Sequence, residues 1–105
     1  MKTLPVVAAT VVDWETTLTV ADLARACGVE VAWVVQLVEV GVVSDQTGEP
    51  ALWRFCSADL RRARQAMLLQ RDFESSLDAA ALTLDLMDEV RRLKSRLRCL
   101  GIEDA

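Results

Sequence analysis

Apolar residues between positions 19 and 41 recur at intervals of three and four, the spacing of one face of an α-helix. Thr19-Val-Ala-Asp22 has the pattern of a capping box, so a first helix is expected from Val20 to Cys27, ended by Gly28. A second helix is expected from about Glu30 to Val40, ended by Gly41. Two short helices joined across a glycine predict a helix-turn-helix unit.

β-Structure is expected on both sides of this unit. Residues Leu4 to Trp14 are rich in Val, Ala and Thr and carry no helix cap, which favours an extended strand. Val42-Val43 and Leu52–Phe55 are rich in strand formers, and the turn-forming segment Ser44–Pro50 separates them, which predicts a β-hairpin. Such a hairpin would be the wing of a winged helix-turn-helix, and the N-terminal strand could pair with it.

Two further helices are expected after the hairpin. Ser57 is a suitable N-cap for a helix that continues to about Arg71, and Ser75-Ser-Leu-Asp78 is a second capping signature. The segment from Leu77 to Met87 is apolar nearly all round, so we expect other elements to enclose it. Beyond it, apolar residues spaced four, three, four and three apart form a coiled-coil seam that Gly101 ends. These candidate dimerisation residues are Leu86, Val90, Leu93, Leu97 and Leu100.

The whole pattern predicts a mainly α protein: a winged helix-turn-helix with a small antiparallel β-sheet and a long C-terminal helix. We expect the winged region over residues 1–56 and the helical region over residues 57–105, together forming one compact domain. The seam covers only about two heptads, which is marginal for an isolated coiled coil. A homodimer would therefore need further contacts from the apolar stretch that precedes the seam.

Composition argues against catalysis and against a resident cofactor. The chain of 105 residues contains no His and no Tyr, and no combination of acid, base and nucleophile is recognisable. Cys27, Cys56 and Cys99 are scattered, so we expect free thiols in a reducing cytoplasm rather than disulfides or a metal site. No apolar run reaches the roughly 18 to 20 residues that span a bilayer, and no clear signal-peptide cleavage site follows the N-terminal segment. The sequence therefore predicts a cytoplasmic, non-enzymatic protein without cofactor, metal or membrane contact.

Charge argues against DNA binding. The chain has 16 acidic and 12 basic residues, and no basic residue lies between Glu30 and Leu52. DNA readers neutralise phosphates with Arg and Lys, so a duplex would repel this helix. The basic run Arg61-Arg-Ala-Arg64 could contact a DNA backbone, but a solvated helix face paired with Asp59 and neighbouring acids is the favoured interpretation. We therefore expect no direct nucleic-acid binding.

The second helix has more apolar residues than one buried face requires. Val31, Val34 and Val38 suffice for the side that faces the core. The other residues place apolar side chains beside carboxylates, which is typical of a protein-binding patch. The alternative is that the wing or the C-terminal helix covers this face within the same chain. The candidate patch contains Ala32, Val35, Gln36 and Glu39, with Trp33 at its boundary.

Four segments together resemble the chaperone-modulator family CbpM, whose fold is related to the MerR winged-helix group. They are Thr19–Val29, Trp33–Val43, Trp53–Phe55 and Leu77–Leu100, and the similarity covers nearly the whole chain. The resemblance implies an inhibitor of CbpA, a DnaJ-type co-chaperone, that binds the J-domain and keeps it from engaging the DnaK chaperone. In MerR-type DNA readers the positions matching Ala32 and Val35 are commonly arginine, so the resemblance also implies that this helix has changed partner.

An acidic surface suits that partner, because a J-domain presents a basic helix to DnaK and opposite charges speed encounter. The candidate contact residues are Asp22, Glu30, Ala32, Trp33, Val35, Gln36, Glu39 and Asp45, and the acidic cluster Asp85–Glu89 is an open alternative. The rival interpretation is a MerR-like DNA-binding transcriptional regulator with an atypical recognition helix. A third, an enzyme subunit, lacks recognisable catalytic groups.

Overall fold

The computed structural model describes residues 17–102, and within that range the secondary structure is almost entirely helical. Within residues 17–102 four α-helices follow one another, with one 3-10 turn between the second and the third. They are α1 (Val20–Cys27), α2 (Val31–Val40), the 3-10 helix (Pro50–Leu52), α3 (Ser57–Phe73) and α4 (Leu77–Cys99). In the described range no helix is long and apolar enough to cross a membrane.

The helix-turn-helix unit forms as its caps predict. The Thr19 hydroxyl accepts a hydrogen bond from the Asp22 backbone N–H at 3.0 Å, and the Asp22 carboxylate accepts one from the Thr19 N–H at 3.0 Å. This reciprocal pair is the predicted capping box. Gly28 and Gly41 end α1 and α2 in the left-handed conformation, at φ 70° and 83°. Glu30 is the N-cap of α2 rather than its first residue.

The core lies where α1 packs against α2 and α3, and where α4 packs against α3 and α2. The largest fully buried side chains are Phe55, Leu23, Leu37, Leu84, Val34 and Val42. The predicted inward face of α2 was wrong at its start, because Val31 is 41% exposed and Leu37 is fully buried in its place. Val34 and Leu37 therefore set the buried face of α2, with Val38 half-buried beside them.

The predicted β-hairpin wing and small antiparallel sheet are wrong, since residues 17–102 contain no strand. The reason is a side chain that occupies the place of a partner strand. The Gln46 amide donates to the Arg54 carbonyl at 2.9 Å and accepts from the Arg54 N–H at 3.2 Å. Both backbone groups of Arg54 are thereby satisfied without a backbone ladder. The end of the expected loop and the start of the expected second arm form the 3-10 helix Pro50–Leu52 instead, with Pro50 at its first position.

Phe55 finds its backbone partner outside the expected hairpin. Its N–H and carbonyl form an isolated antiparallel bridge with Leu18, with N–O distances of 2.8 and 2.7 Å. This bridge attaches the start of the described chain to the segment before α3. The strand expected over Leu4 to Trp14 lies outside the described residues.

The start of α3 differs from the expected cap. Cys56 is the N-cap and Ser57 is the first helical residue, because Asp59 bonds back to the Cys56 N–H at 3.0 Å. The helix continues two residues past Arg71 and ends at Phe73. Glu74 then adopts a left-handed conformation at φ 51° and turns the chain toward α4.

The apolar segment at the start of α4 is not enclosed all round, contrary to expectation. Ser76 caps the helix by accepting from the Ala79 N–H at 3.1 Å. Ala80, Ala81 and Leu84 are buried against the body of the protein. Leu82 is 61% exposed on the opposite face, and Leu86, one turn later, is exposed as well. The helix thus carries two apolar stripes, and the chain covers only one of them.

Candidate partner-binding site

The solvent face of α2 is open. Ala32, Gln36 and Glu39 are exposed and lie three to four residues apart, so they share one face of the helix. Val35 is half-buried at its edge. Although α4 packs against α2, it leaves this face uncovered. Neither the segment expected to form the wing nor the C-terminal helix therefore covers the three exposed residues of this patch.

Trp33 marks the boundary of this face. Its side chain is half-buried, and its Nε1–H donates to Gln70 Oε1 on α3 at 3.1 Å. This bond satisfies the indole donor and fixes the ring between the two helices. Gln70 has no signal in the sequence beyond its position on α3, so sequence reasoning missed it.

Three of the candidate acids carry carboxylates that no base neutralises. Glu30, Glu39 and Asp45 are exposed, and none forms an ion pair with another described residue. Glu30 also makes no cap hydrogen bond with its side chain, although it occupies the N-cap of α2. These three residues give the helix-turn-helix an uncompensated negative surface.

Asp22 differs from the other candidate acids because both of its carboxylate oxygens are engaged. One accepts from the Thr19 N–H, and the other accepts from Arg25 at 2.7 Å. The hydrogen bond from the Thr19 backbone, aided by the Thr19 hydroxyl and by Arg25, lowers the pKa of Asp22 below its ordinary value of 3.8. The structure therefore places Asp22 in the cap of α1.

Only one of the two bases of this region has an acidic partner. The only basic residues between positions 17 and 56 are Arg25 and Arg54. Arg25 is paired with Asp22, and Arg54 donates to the Trp53 carbonyl at 2.7 Å. Since a carbonyl does not neutralise a guanidinium, residues 17–56 keep one unpaired base against three unpaired candidate carboxylates, and this net negative surface is unsuited to a phosphate backbone.

The acidic cluster on α4 offers no comparable set of free carboxylates. Arg62 pairs with Asp85 at 3.0 Å and also with Asp88, while its Nε–H donates to the Val42 carbonyl at 2.5 Å. Asp88 additionally pairs with Arg91. Arg62 thereby joins the end of the helix-turn-helix to α4.

The remaining acid of that cluster is paired within the helix. Glu89 lies beside Arg92, whose hydrogen bond lowers the pKa of the Glu89 carboxyl. With Asp85 and Asp88 already paired across the α3–α4 contact, the cluster is neutralised by its neighbours. Among the candidate contact acids, the carboxylates without an ion pair are thus those of Glu30, Glu39 and Asp45.

Asp59 is not the partner of the arginine run, contrary to expectation. It is buried, 5% exposed, and its carboxylate accepts from the Ser44 N–H at 3.0 Å, the Ser44 hydroxyl at 2.9 Å and the Cys56 N–H at 3.0 Å. It holds the loop that follows α2 against the start of α3. Its place three residues after the N-cap is the one signal in the sequence that could have revealed this role.

The distal half of α4 presents apolar surface. Each of the five seam residues is at least 36% exposed, and Leu100 reaches 70%. A shallow apolar groove beside them is lined by Thr83, Leu86, Met87, Val90 and Arg91. Together with Leu82, the seam forms a continuous stripe along the side of α4 that faces away from the body.

The three cysteines are free and lie apart. Cys27 is buried in α1, where burial raises the pKa of its thiol, Cys56 is half-buried at the cap of α3, and Cys99 is exposed at the end of α4. Among residues 17–102 no group of three or more Cys, Asp or Glu side chains is arranged to hold a metal ion.

Comparison with known proteins matches this architecture. The family model of the MerR HTH family regulatory protein matches residues 18–101. A chaperone modulatory protein CbpM from Coxiella burnetii (strain Dugway 5J108-111) is 28% identical over 90 residues, which cover 86% of this chain and 85% of that protein. The CbpM of Pseudomonas entomophila (strain L48) is 30% identical over 78 residues, covering 74% and 77%, and that of Pseudomonas putida (strain W619) is 31% identical over the same shares.

The names of these relatives and of the matching family are those of regulatory proteins rather than enzymes. The matched segment spans the helix-turn-helix and α4 together, so the likeness includes both candidate surfaces. The chain belongs to the CbpM family of chaperone modulatory proteins, within the MerR helix-turn-helix family.

Proposed function

We propose that this protein is a chaperone modulator that binds the J-domain of a CbpA/DnaJ-type co-chaperone and inhibits its stimulation of the DnaK chaperone. The observation that carries the proposal is the charge of residues 17–56, where Glu30, Glu39 and Asp45 are unpaired and Arg54 is the one base without an acidic partner. A basic protein surface is attracted by this arrangement, and a nucleic acid is repelled.

The contact surface of the proposal is the open face of α2 with its flanking acids. Glu30, Glu39 and Asp45 supply attraction and orientation, and the apolar contribution comes from the centre of the helix. The central residues are Ala32, Trp33, Val35 and Gln36. A surface of this kind gains on-rate and specificity from its charges and affinity from its buried aromatic and apolar contacts. Asp22 contributes indirectly, by capping α1.

A homodimer through α4 is the second part of the proposal. Leu86, Val90, Leu93, Leu97 and Leu100 would pair with the same residues of a second copy, and Leu82 would extend the seam by one turn. A seam of about two heptads is short for a stable coiled coil, and Leu82 lengthens it by adding apolar area at the end nearest the body of the protein. We place both activities in the cytoplasm, with any presence at the nucleoid arising through the partner.

The proposal is tested by the ATPase activity of DnaK in the presence of the full-length CbpA-type co-chaperone encoded in the same genome. Adding this protein should remove the stimulation by the co-chaperone in a saturable way and leave the basal activity of DnaK unchanged. A co-chaperone that lacks its J-domain should not bind the protein. Stimulation that persists at saturating protein would contradict the proposal.

The match to the MerR family supports a second candidate, a DNA-binding regulator. It predicts duplex binding that weakens steeply as salt rises. The net negative charge of residues 17–56 argues against it, and the test is a titration of the protein with genomic DNA fragments at low salt. We expect no saturable binding; saturable binding would favour the regulator.

A further inference from the structure

The end of α3 leaves an aromatic side chain uncovered. The buried residues of this helix, Asp59, Ala63 and Ala66, are spaced four and three apart, and Gln70 and Phe73 continue the same series. Phe73 is nevertheless 72% exposed. Phe73 therefore lies on the same face of α3 as the buried residues, but the described chain does not cover it.

This exposed ring lies beside the boundary of the proposed partner-binding surface. Trp33 of α2 bonds to Gln70, and Phe73 follows Gln70 by one helical turn, which places their Cβ atoms about 5–6 Å apart. On the other side, the Trp33 N–H donates to the Glu30 carbonyl at 3.0 Å in the first turn of α2. We call the group Glu30, Trp33, Gln70 and Phe73 the aromatic corner.

The chemistry of the aromatic corner suits a protein partner. Exposed aromatic rings are the usual anchors of interfaces, because they bury a large area at a small cost in side-chain entropy. Glu30, exposed and without an ion pair at the start of the same helix turn as Trp33, supplies a negative charge that attracts a cation of the partner. A second copy of this chain is a poor occupant, since two such corners would bring their free carboxylates together.

We infer that the aromatic corner anchors a surface of the partner that carries Lys or Arg together with a large apolar side chain. The apolar side chain packs against Phe73, and the cation reaches Glu30. The inference rests on the proposed function and extends it, because it moves part of the binding surface from the helix-turn-helix to the turn between α3 and α4.

The test is a calorimetric titration of the full-length CbpA-type co-chaperone with the full chain and two alanine variants. Phe73→Ala should raise the dissociation constant at least ~10-fold, as loss of an aromatic anchor does. Leu52→Ala is the matched control, because Leu52 is 71% exposed and lies on the 3-10 turn, and it should change the constant less than ~3-fold.

Phe73→Gln serves as a second variant that keeps a helix-compatible side chain, and it should weaken binding by the same factor as Phe73→Ala. Wild-type binding that neither Phe73 variant alters would overturn this inference and leave the proposed function standing. No binding by the wild-type chain would overturn both.

Discussion

The helix-turn-helix and the distal half of α4 differ in what they expose: the first exposes unpaired carboxylates, and the second exposes apolar side chains. In the helix-turn-helix the central side chains Leu23, Val34 and Leu37 are fully buried. Glu30, Glu39 and Asp45 form no ion pair with a described residue. In the distal half of α4 the acids are paired with neighbouring arginines, while the whole apolar seam is exposed. The helix-turn-helix therefore presents unpaired carboxylates above a buried core. The distal half of α4 presents exposed apolar side chains, and its acids are paired.

The comparison indicates that the two regions suit different partners. Free carboxylates attract a basic surface and discriminate among partners by charge. An apolar stripe gains most from a second apolar helix, which a copy of the same chain supplies. Arg62 connects the two regions, because it bonds to the Val42 carbonyl after α2 and to Asp85 and Asp88 on α4.

The largest effect is expected from charges placed in the seam. Leu93→Asp with Leu97→Asp should raise the dimer dissociation constant at least ~1,000-fold, because each copy would bury two unpaired carboxylates. Sedimentation equilibrium measures the mass. Ser95→Asp with Cys99→Asp adds the same charge, with the same spacing of four residues, on the opposite face of α4, and it should leave the mass unchanged. An unaltered mass in the seam variant would show that the stripe does not hold two copies together.

The next largest effect is expected at the junction of the two regions. Asp59→Ala removes the acceptor of three part-buried hydrogen bonds from Ser44 and Cys56, which should lower the free energy of unfolding by about 3 kcal/mol. Ser44→Ala removes only the hydroxyl bond and should cost about 1 kcal/mol. Urea unfolding followed by circular dichroism measures both. Equal losses in the two variants would contradict the role given to Asp59.

A smaller effect is expected from reversing the free charges of α2. Glu30→Lys with Glu39→Lys should weaken binding of the co-chaperone by about 10- to 100-fold, and the difference from wild type should shrink as salt screens it. Glu49→Lys with Asp78→Lys changes the net charge equally at two other exposed positions. That control should bind within ~3-fold of wild type in the same titration. Equal weakening by both pairs would mean that net charge, rather than the α2 face, governs binding.

The smallest effect is expected from the cap of α1 at low pH. Because the folded-state pKa of Asp22 lies below 3.8, its stabilising contribution is fully present above that value and is lost as pH falls through the folded pKa. Asp22→Asn should therefore lower the unfolding temperature at pH 6 and have a smaller effect near pH 3. Thermal melts at the two pH values test this. An undiminished difference at pH 3 would show that the ionised carboxylate is not what stabilises the cap.

Features fixed by local chemistry were predictable from the sequence. The bounds of α1 follow from the Thr19–Asp22 capping box and from Gly28, and both signals act within one or two turns of chain. The spacing of residues also predicted the exposed face of α2, because Ala32, Gln36 and Glu39 were placed away from the core and are exposed. The absence of basic residues in that stretch can be read from the sequence without any structure.

Features that depend on a single side-chain contact between different segments of the chain were not predictable. The hairpin pattern was present in residue types, yet the Gln46 amide takes both backbone groups of Arg54 and no ladder forms. Asp59 was assigned to a solvated charge face because its partners, Ser44 and Cys56, are joined to it only by the fold. Periodicity also could not separate the two stripes at the start of α4, because an all-round apolar segment has no preferred face.

The most direct test of the central claim is a calorimetric comparison of two titrants against the same full-length protein. One is the CbpA-type co-chaperone and the other is a DNA duplex at low salt. The account predicts saturable binding of the co-chaperone, lost when its J-domain is deleted, and no heat of binding with DNA. Saturable binding of the duplex with none of the co-chaperone would contradict it.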